Sequence, residues 1–503
     1  MSAALPGPLS LWVDTAPSPA RDTVGLPSEV DVVVIGAGIA GLTTAYELAT
    51  AGRTVAVLEA ATVGAGVSGH TTAKLSAQHG VRYDALTRHK GREAARVYAA
   101  TQVEATTWVE RTAARHRIDC EFERADSSVY TTGARHTGEL RREADAAARA
   151  GLPATYHDTV PLAVPAAGGV TITGQARFHP RRWLLGLAAA VESAGGTVVE
   201  GVRATAVDEH PAPVVHTTRG DVRAGDVVVA THYPILDRGL FFARLDPVRD
   251  LVVAGPVGTP VEGMYLDAQT HHSVRGYERD GTPMAVVGGE HYRVGERVDV
   301  RARYRRLAEW AAEHTGMTEV THRWSAHDMS TVDKVPYVGR YHPAARHLWV
   351  ATGFGQWGMS GGTAAGLLLG RLLTGRAGAD DPAVRLYDPN RLDLRSLPSL
   401  AGNNVTVARH LVGDHLRALR EPAEFDDLPA GEGRVTRVGA TMVCGYRDDG
   451  GGLHTRRAHC THLGCLVGFN NAERTWDCPC HGSRFTVDGE VIQGPATKPL
   501  PPA

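Results

Sequence analysis

Residues 30–59 leave this chain few folds to choose from. "VDVVVI" (Val30–Ile35) is apolar on both faces, as a strand inside a parallel sheet must be. Gly36-Ala37-Gly38-Ile39-Ala40-Gly41 follows, then a helical "LTTAYELATAG" closed by Gly52, then a second strand carrying Glu59. Strand, G-x-G-x-x-G, helix, strand and acid, in that order, form the dinucleotide fingerprint. Gly36 makes the tight turn, Gly38 lets backbone approach a pyrophosphate, and Gly41 lets helix pack on strand. Amides at the helix N-terminus then face the phosphates, while Glu59 accepts from a ribose hydroxyl. Such an acid would repel the 2′-phosphate of NADP, so FAD and NAD remain.

With 503 residues, the chain has room for about three domains of about 150 residues each. A net charge of −2 gives no reason to expect nucleic acid or an anionic membrane as partner. The N-terminus has no basic start followed by an apolar run, and no stretch reaches a membrane span of about 18 uninterrupted apolar residues. Cys120 is the one cysteine in the first 440 residues, which suits a reducing compartment. A cytoplasmic protein without an integral membrane segment is expected.

Further segments carry a resemblance. "GAGVSGHTTAKLSAQHG" (Gly64–Gly80) is similar to the loop that runs along the flavin in the D-amino-acid-oxidase-like superfamily, which includes glycine oxidase and sarcosine oxidase. The stretches Gly174–Gly201, Asp226–Pro234, Gly288–Gly295 and Thr331–Gly339 resemble other segments of that superfamily. "LWVATGFGQWGMSGGTAAGLLLGRLLTG" (Leu348–Gly375) resembles its last strand, glycine loop and helix, whose amides point at the flavin pyrimidine edge. The resemblance implies FAD. It also implies contacts at Gly36, Gly38, Gly41, Glu59, Ser68, His70, Thr71, Thr72, Lys74, Ala204, Gly353, Gly355, Gly358, Met359 and Ser360. No second complete G-x-G-x-x-G unit offers a separate NAD(P)H domain.

Several of these residues have two readings. His70 sits where some relatives attach FAD covalently, but in a different register, which favours hydrogen bonding or packing. Lys74 lies near the flavin or caps a carbonyl. His79 and Tyr83 face either substrate or solvent, with the surface favoured. Trp324, His327 and Trp357 form either a substrate wall or core. Lys74, His79, His327 and Trp357 are the catalytic candidates, and none of them names a substrate.

The C-terminal region carries Cys460-x-His462-x-x-Cys465 and Cys478-x-Cys480-His481. A zinc site and a plain disulfide pair with incidental histidines are two readings. A Rieske [2Fe–2S] centre is the third, since Cys-x-His and Cys-x-x-His give each loop one thiolate and one imidazole. "CTHLGC" and "CPCHGS" resemble the respiratory and photosynthetic Rieske signature nearly letter for letter. That resemblance implies that Cys460 and Cys478 bind the buried iron and His462 and His481 the outer one. It also implies a Cys465–Cys480 disulfide and a covering proline loop at Gly494–Ala496.

In the cluster's surroundings Ser483 would donate to a bridging sulfide. Phe485 stands where high-potential relatives carry a donating tyrosine, so a potential below the top of the range of about −150 to +300 mV is expected. Those respiratory proteins are membrane-anchored, which puts a quinol-oxidising role in doubt. Cys120 and Cys444 read as buried small hydrophobes.

The expected architecture is therefore an α/β Rossmann-like FAD-binding domain interleaved with an α+β substrate domain, then a small all-β Rieske domain. Residues 28–375 form the oxidoreductase, with FAD-binding parts at about 28–90, 170–235 and 325–375 and substrate parts at about 91–169 and 236–324. Residues 376–402 read as a linker, and 403–503 as the Rieske domain with a leading amphipathic helix.

This order resembles a bacterial group of FAD-dependent oxidoreductases with C-terminal Rieske domains. Such a protein would oxidise a small molecule, an amine or amino acid. Electrons would pass singly from the surface-facing histidine-ligated iron to an external protein or quinone. Reverse flow into the flavin and a non-enzymatic redox carrier are the alternatives. A Rieske oxygenase would need a second iron site, for which "HTGEL" and His271–His272 make no convincing triad.

Overall fold

The computed structural model describes residues 5–19, 25–294, 296, 298–391 and 425–503. The strand Glu29–Ile35 lies between two parallel neighbours, Val55–Leu58 and Gly220–Val229, with Val33 opposite both Ala56 and Val227. Covered on both faces, Val32, Val33 and Val34 have no exposed surface. Thr197–Val199 extends this sheet on one side and Leu348–Thr352 on the other, both in parallel. Tyr337–Arg340 closes one edge antiparallel.

Helices Ile39–Thr50 and Gly358–Leu373 each follow a parallel strand, so both begin at the same sheet edge, where open α/β folds bind ligands. They pack at very short range. A Cβ on Gly362 would stand 2.5 Å from Ile39 Cγ2, and one on Gly366 2.5 Å from Thr43 Cβ. Glycines four residues apart share one helix face, and their bareness lets the backbones meet.

A second, nine-stranded sheet is assembled from two stretches of chain, 74–177 and 245–331, that alternate with the three stretches of the first. Its order runs His322–Thr331, Leu245–Pro256, Thr282–Arg293, Ser273–Arg279, Met264–Asp267, Glu123–Thr131, Gly168–Arg177 and Lys74–Leu75, with Ala154–His157 beside Gly168–Arg177. Helix Val300–Thr315 covers one face, burying Leu307 and Ala311 against Leu251 and Val287.

Residues 5–19 precede the expected start at 28, yet they pack into the molecule. Leu11 and Trp12 are fully buried, Ser10 Oγ donates to the Gly69 carbonyl (2.8 Å), and Trp12 Nε1 donates to that of Thr71 (2.7 Å). The first part of the expected linker is likewise structured. Pro382–Tyr387 is a helix capped by Asp381, and Tyr387 Oη meets Thr101 Oγ1 at 2.7 Å. Proline at the first turn and aspartate at the cap are start signals that a reading by periodicity passes over. The rest of the linker, and the amphipathic helix expected from 403, lie outside the described residues.

The C-terminal domain is a three-stranded sheet (Gly433–Val438, Thr441–Arg447, Leu453–Arg457) and a four-stranded one (Gly468–Asn470, Thr475–Asp477, Arg484–Phe485, Val491–Gln493). It docks on the oxidoreductase domain through buried polar contacts. Arg484 grips Asp477 bidentately (2.8 and 3.0 Å) and also meets Glu473, while Arg249 of the other domain lies 3.9 Å from Asp477. Two cations thus face two anions, the pairing that buried charge requires. Burial pushes the Asp477 carboxyl up, but Arg484 and Arg249 outweigh it and hold the group down at about 2. Tyr304 Oη adds a donor to Glu473 (3.1 Å), and Arg203 one to the Val491 carbonyl (2.9 Å).

Candidate functional site: one cavity between two domains

A cavity of about 680 Å³ begins at the fingerprint and ends against the C-terminal domain. That volume lies within the range of about 300–1,000 Å³ usual for ligand pockets. Gly36, Gly38, Glu59, Ser68, His70, Thr71, Thr72, Lys74, Ala204, Gly358 and Met359 line it, as do Trp324, His327 and Trp357. Gln493, Gly494, Ala496, Arg484 and Glu473 close it from the C-terminal side.

At the fingerprint end the wall is backbone. Gly36 has φ +108°, and a Cβ there would lie 2.6 Å from the Ala230 carbonyl oxygen. A Cβ on Gly41 would lie 2.0 Å from the Gly36 oxygen, so Gly41 seats the helix and does not line the cavity. Glu59 spans the turn, accepting from the amides of Ala37 and Ala61 at 2.9 Å each. Burial pushes its carboxyl up, opposed by those two amides. This cradle of bare backbone, helix N-terminus and acid fits a dinucleotide.

The loop beyond it is pinned from outside through its carbonyls. Ser10, Trp324 and Trp12 donate in turn to Gly69, His70 and Thr71. His70 itself pairs through Nδ1 with the Gly66 carbonyl (2.9 Å), in keeping with its local hydrogen-bonding reading.

Other sequence candidates fall elsewhere. His79 does not line the cavity. Its Nδ1 meets Tyr98 Oη (2.6 Å), its Nε2 meets the Ser76 carbonyl (2.8 Å) and Ser360 Oγ (3.0 Å), and its ring stacks on Trp357. With every polar atom engaged, it is a satisfied core histidine holding the Gly358 helix start, and its place among the catalytic candidates is withdrawn. Tyr83, expected at the surface, is fully buried and donates to the Ala77 carbonyl (2.7 Å). Gly353 and Gly355, with φ +78° and +57°, shape the turn before the helix without lining the cavity, and Ser360 is held by His79.

Four cavity residues carry no mark in a single sequence. Asp250 and Asp328 are bridged by Gln356, whose Nε2 donates to Asp250 (2.6 Å) and whose amide donates to Asp328. Burial pushes Asp328 up to about 7, with the Asp250 charge adding to the effect. Burial also drives Lys74 down to about 7, helped by Arg275. Arg249 gives Nη1 to Ser325 Oγ (3.1 Å), while its Nε, 3.9 Å from Asp477, and its Nη2 make no hydrogen bond among the described residues. Alternation along strand Leu245–Pro256 was the available signal for Arg249, but an arginine in such a strand ordinarily reads as solvated.

His327 joins the two ends. It lines the cavity, its Nδ1 receives the Gln493 amide, and a Cβ on Gly482 would stand 2.3 Å from its Nε2. Gly482 follows His481 directly.

Behind the C-terminal wall of the cavity stand the cysteine loops, whose site is built of side chains. The cysteine loops close on themselves through Cys460 N to Cys465 O (2.8 Å) and Cys478 N to Ser483 O (2.8 Å). Cys465 and Cys480 form a disulfide, which removes them as thiolates even though they lie close to Cys478. Cys460 and Cys478 remain as buried free thiols, and the rings of His462 and His481 stand 5.0 Å apart at 86°. Nδ1 of His462 and both ring nitrogens of His481 are buried without partners among the described residues. Orphaned imidazoles beside two free thiols fit a two-cysteine, two-histidine metal centre. Ser483 Oγ accepts from Ala496 N (3.0 Å), leaving its hydrogen to donate toward the thiols. Phe485 is fully buried and Cys444 and Cys120 are core, with burial pushing both thiols up to about 12.

One expectation fails here. The histidine edge is not at the surface: His481 is 1% exposed and the His462 side chain 7%. Tyr233, Asp237 and Phe242 of the oxidoreductase domain cover it. Domain docking, which no local motif encodes, turns the edge inward.

Comparison with known proteins agrees with both halves. The FAD dependent oxidoreductase family (DAO) matches residues 31–372, and the Rieske [2Fe-2S] domain matches residues 421–503. A Bacillus subtilis protein named as a Rieske 2Fe-2S iron-sulfur protein, YhfW, is 32% identical over 98% of this chain and 97% of its own. The cytochrome b6-f complex iron-sulfur subunit of Chlorobaculum thiosulfatiphilum is 35% identical over 16% of this chain and 49% of its own. Glycine oxidase from Geobacillus kaustophilus superposes with a TM-score of 0.61 at 22% identity, covering 73% of this chain and all of that one. L-proline dehydrogenase from P. horikoshii gives 0.58 at 18% identity, covering 73% and 98%. The Rieske match decides between iron–sulfur and zinc for a donor set that suits either. Among the described residues no helix is long and apolar enough to cross a membrane.

Proposed function

The chain belongs to the FAD-dependent oxidoreductase family and carries a C-terminal Rieske [2Fe–2S] domain, and from that premise we propose that it oxidises a small amine or amino acid at a carbon next to nitrogen and passes the electrons singly through the cluster to an external acceptor. Bound in this chain, FAD supplies a two-electron acceptor and the cluster a one-electron carrier. The observation that carries the reading is the shared wall: one cavity is lined by the flavin fingerprint and by Gln493, Gly494 and Ala496 of the C-terminal domain, and His327, which lines it too, packs against Gly482 beside His481.

The residues divide the work. Gly36, Gly38 and the Ile39–Thr50 helix start would hold the pyrophosphate, with Glu59 at the adjoining strand end. Lys74 and Asp328, both with pKa values near neutrality, can take the proton that a substrate ammonium must lose before its carbon is oxidised. Arg249, beside Asp477, keeps two donors without a hydrogen bond among the described residues and can give them to a negative group. Trp324 and Trp357 exclude water from the same space. His327 fills the gap to Gly482, and burial with help from Arg249 holds its imidazole well below its usual range and hence uncharged. His327 would thus stand between the residues that would hold the two groups.

Anaerobic addition of a panel of amines and amino acids tests the reading. The flavin absorbance should bleach, and the anisotropic EPR signal of a reduced Rieske cluster should follow. In His327→Phe the bleaching should keep its rate while the EPR phase slows by about tenfold or more, about 1.4 kcal/mol of barrier. Bleaching with a permanently silent cluster would end the relay. Bleaching by a reduced carrier, and by no member of the panel, would reverse the direction.

A further inference from the structure

The cluster tip rests on one short stretch of the oxidoreductase domain, residues 233–242. Tyr233 and Phe242 stand edge-on to His481, with ring centroids 6.2 and 5.9 Å away. Ile235 Cγ2 lies 3.7 Å from where a Cβ on Gly494 would be, beneath the proline loop. Asp237 Oδ1 accepts a hydrogen bond from His462 Nε2 at 2.8 Å. This stretch is anchored in its own domain: Tyr341 Oη bonds to the Leu236 carbonyl, and Arg238 reaches Glu209 (2.6 Å) and the Val207 carbonyl (2.9 Å). Asp237 is therefore a fixed acceptor.

An imidazole has two nitrogens, and a partner on one assigns the other. With Nε2 of His462 engaged by Asp237, its buried and partnerless Nδ1 is the nitrogen left for a metal. A carboxylate accepting from a ligating imidazole also makes that ligand a stronger electron donor. Its negative charge further opposes the arrival of an electron, so both effects lower the cluster's potential.

We infer that Asp237 is a positioning residue of the cluster. It fixes the tautomer and orientation of His462, holds the cluster tip on the oxidoreductase domain, and sets the midpoint potential lower than the same centre would have without it. The inference rests on the Rieske reading of the C-terminal domain. Asp237 is about half exposed, so solvent screens part of its charge, and the effect belongs as much to the hydrogen bond as to the field. A tethered tip has a corollary: an external partner must reach the cluster from another side, where Leu463 of the first cysteine loop is 44% exposed.

The test is an EPR-monitored potentiometric titration of the full chain carrying FAD and cluster, comparing wild type with Asp237→Asn, Asp237→Ala and Asp237→Glu. Asn keeps an acceptor oxygen without the charge and should shift the midpoint upward. Ala loses both and should shift it further, with altered g-values as the imidazole reorients. Glu restores a carboxylate and should bring the midpoint back toward wild type. Should the Ala variant fail to take up iron, the near-isosteric Asn variant decides. A midpoint unchanged or lowered in Asn and Ala overturns the inference. A wild-type protein without a Rieske signal would instead remove the functional reading on which it stands.

Discussion

The two ends of the cavity are made of opposite materials. At the fingerprint end the chain withdraws its side chains, and Gly36 and Gly41 stand where any Cβ would strike a carbonyl oxygen. Behind its other end the C-terminal domain offers four side-chain donors on two loops, each closed by backbone bonds of its own. One site is spoiled by adding an atom, the other by removing one.

Matched substitutions give the largest effects and test whether the ends are independent. Cys478→Ser deletes a thiolate that an alcohol does not replace, so the Rieske EPR signal should vanish while the flavin spectrum persists. Gly41→Ala puts a methyl 2.0 Å from the Gly36 oxygen, a backbone atom that cannot step aside. The resulting overpacking costs about 1–3 kcal/mol, so FAD retention on gel filtration should fall by about fivefold or more with the EPR signal intact. Loss of both signals in either variant would show that the two ends fold as one unit.

These two sites were the legible part of the sequence, because each is written in consecutive residues whose spacing has a mechanical meaning. G-x-G-x-x-G followed by an acid, and Cys-x-His with Cys-x-x-His, need no tertiary context to be read. What lay between them was not legible. Arg249, Asp250 and Asp328 reach the cavity from neighbouring strands of the second sheet, and Arg484 and Glu473 from the other domain, and no local pattern links them. His79 misled for the same reason. A histidine in a flavin-like loop reads as solvent-facing or substrate-facing until Tyr98, Ser76 and Ser360 are seen to occupy both nitrogens of a buried ring. The inward turn of the cluster's histidine edge depended wholly on docking, as did the packing of residues 5–19 beneath the flavin loop.

The docking centre provides the next largest effect. Arg484→Met leaves Asp477 and Glu473 facing one another with Arg249 as their remaining guanidinium. Removing one partner from such a buried set costs about 3–5 kcal/mol. Chemical denaturation should show this loss as an earlier transition of the C-terminal domain. A change below about 1 kcal/mol would mean that water already solvates the centre and that the domains touch more loosely than the cavity implies.

The smallest effect concerns protons, and it separates the middle of the cavity from both ends. Burial moves Lys74 down and Asp328 up until both titrate near 7, with Arg275 acting on the first and Asp250 on the second. Below that pH the pair is ammonium and neutral acid, with net charge +1; above it the pair is neutral amine and carboxylate, with net charge −1. A cationic amine is repelled in the first state and held in the second, where a proton acceptor is also free. For such a substrate kcat/KM should therefore rise with pH through about 7, with a limiting slope approaching two protons. Lys74→Met and Asp328→Asn should each reduce that slope toward one, because each leaves a single titrating group. A profile flat across neutrality, or one that keeps its slope in both variants, would place the essential proton on some other group and leave the cavity's centre to binding alone.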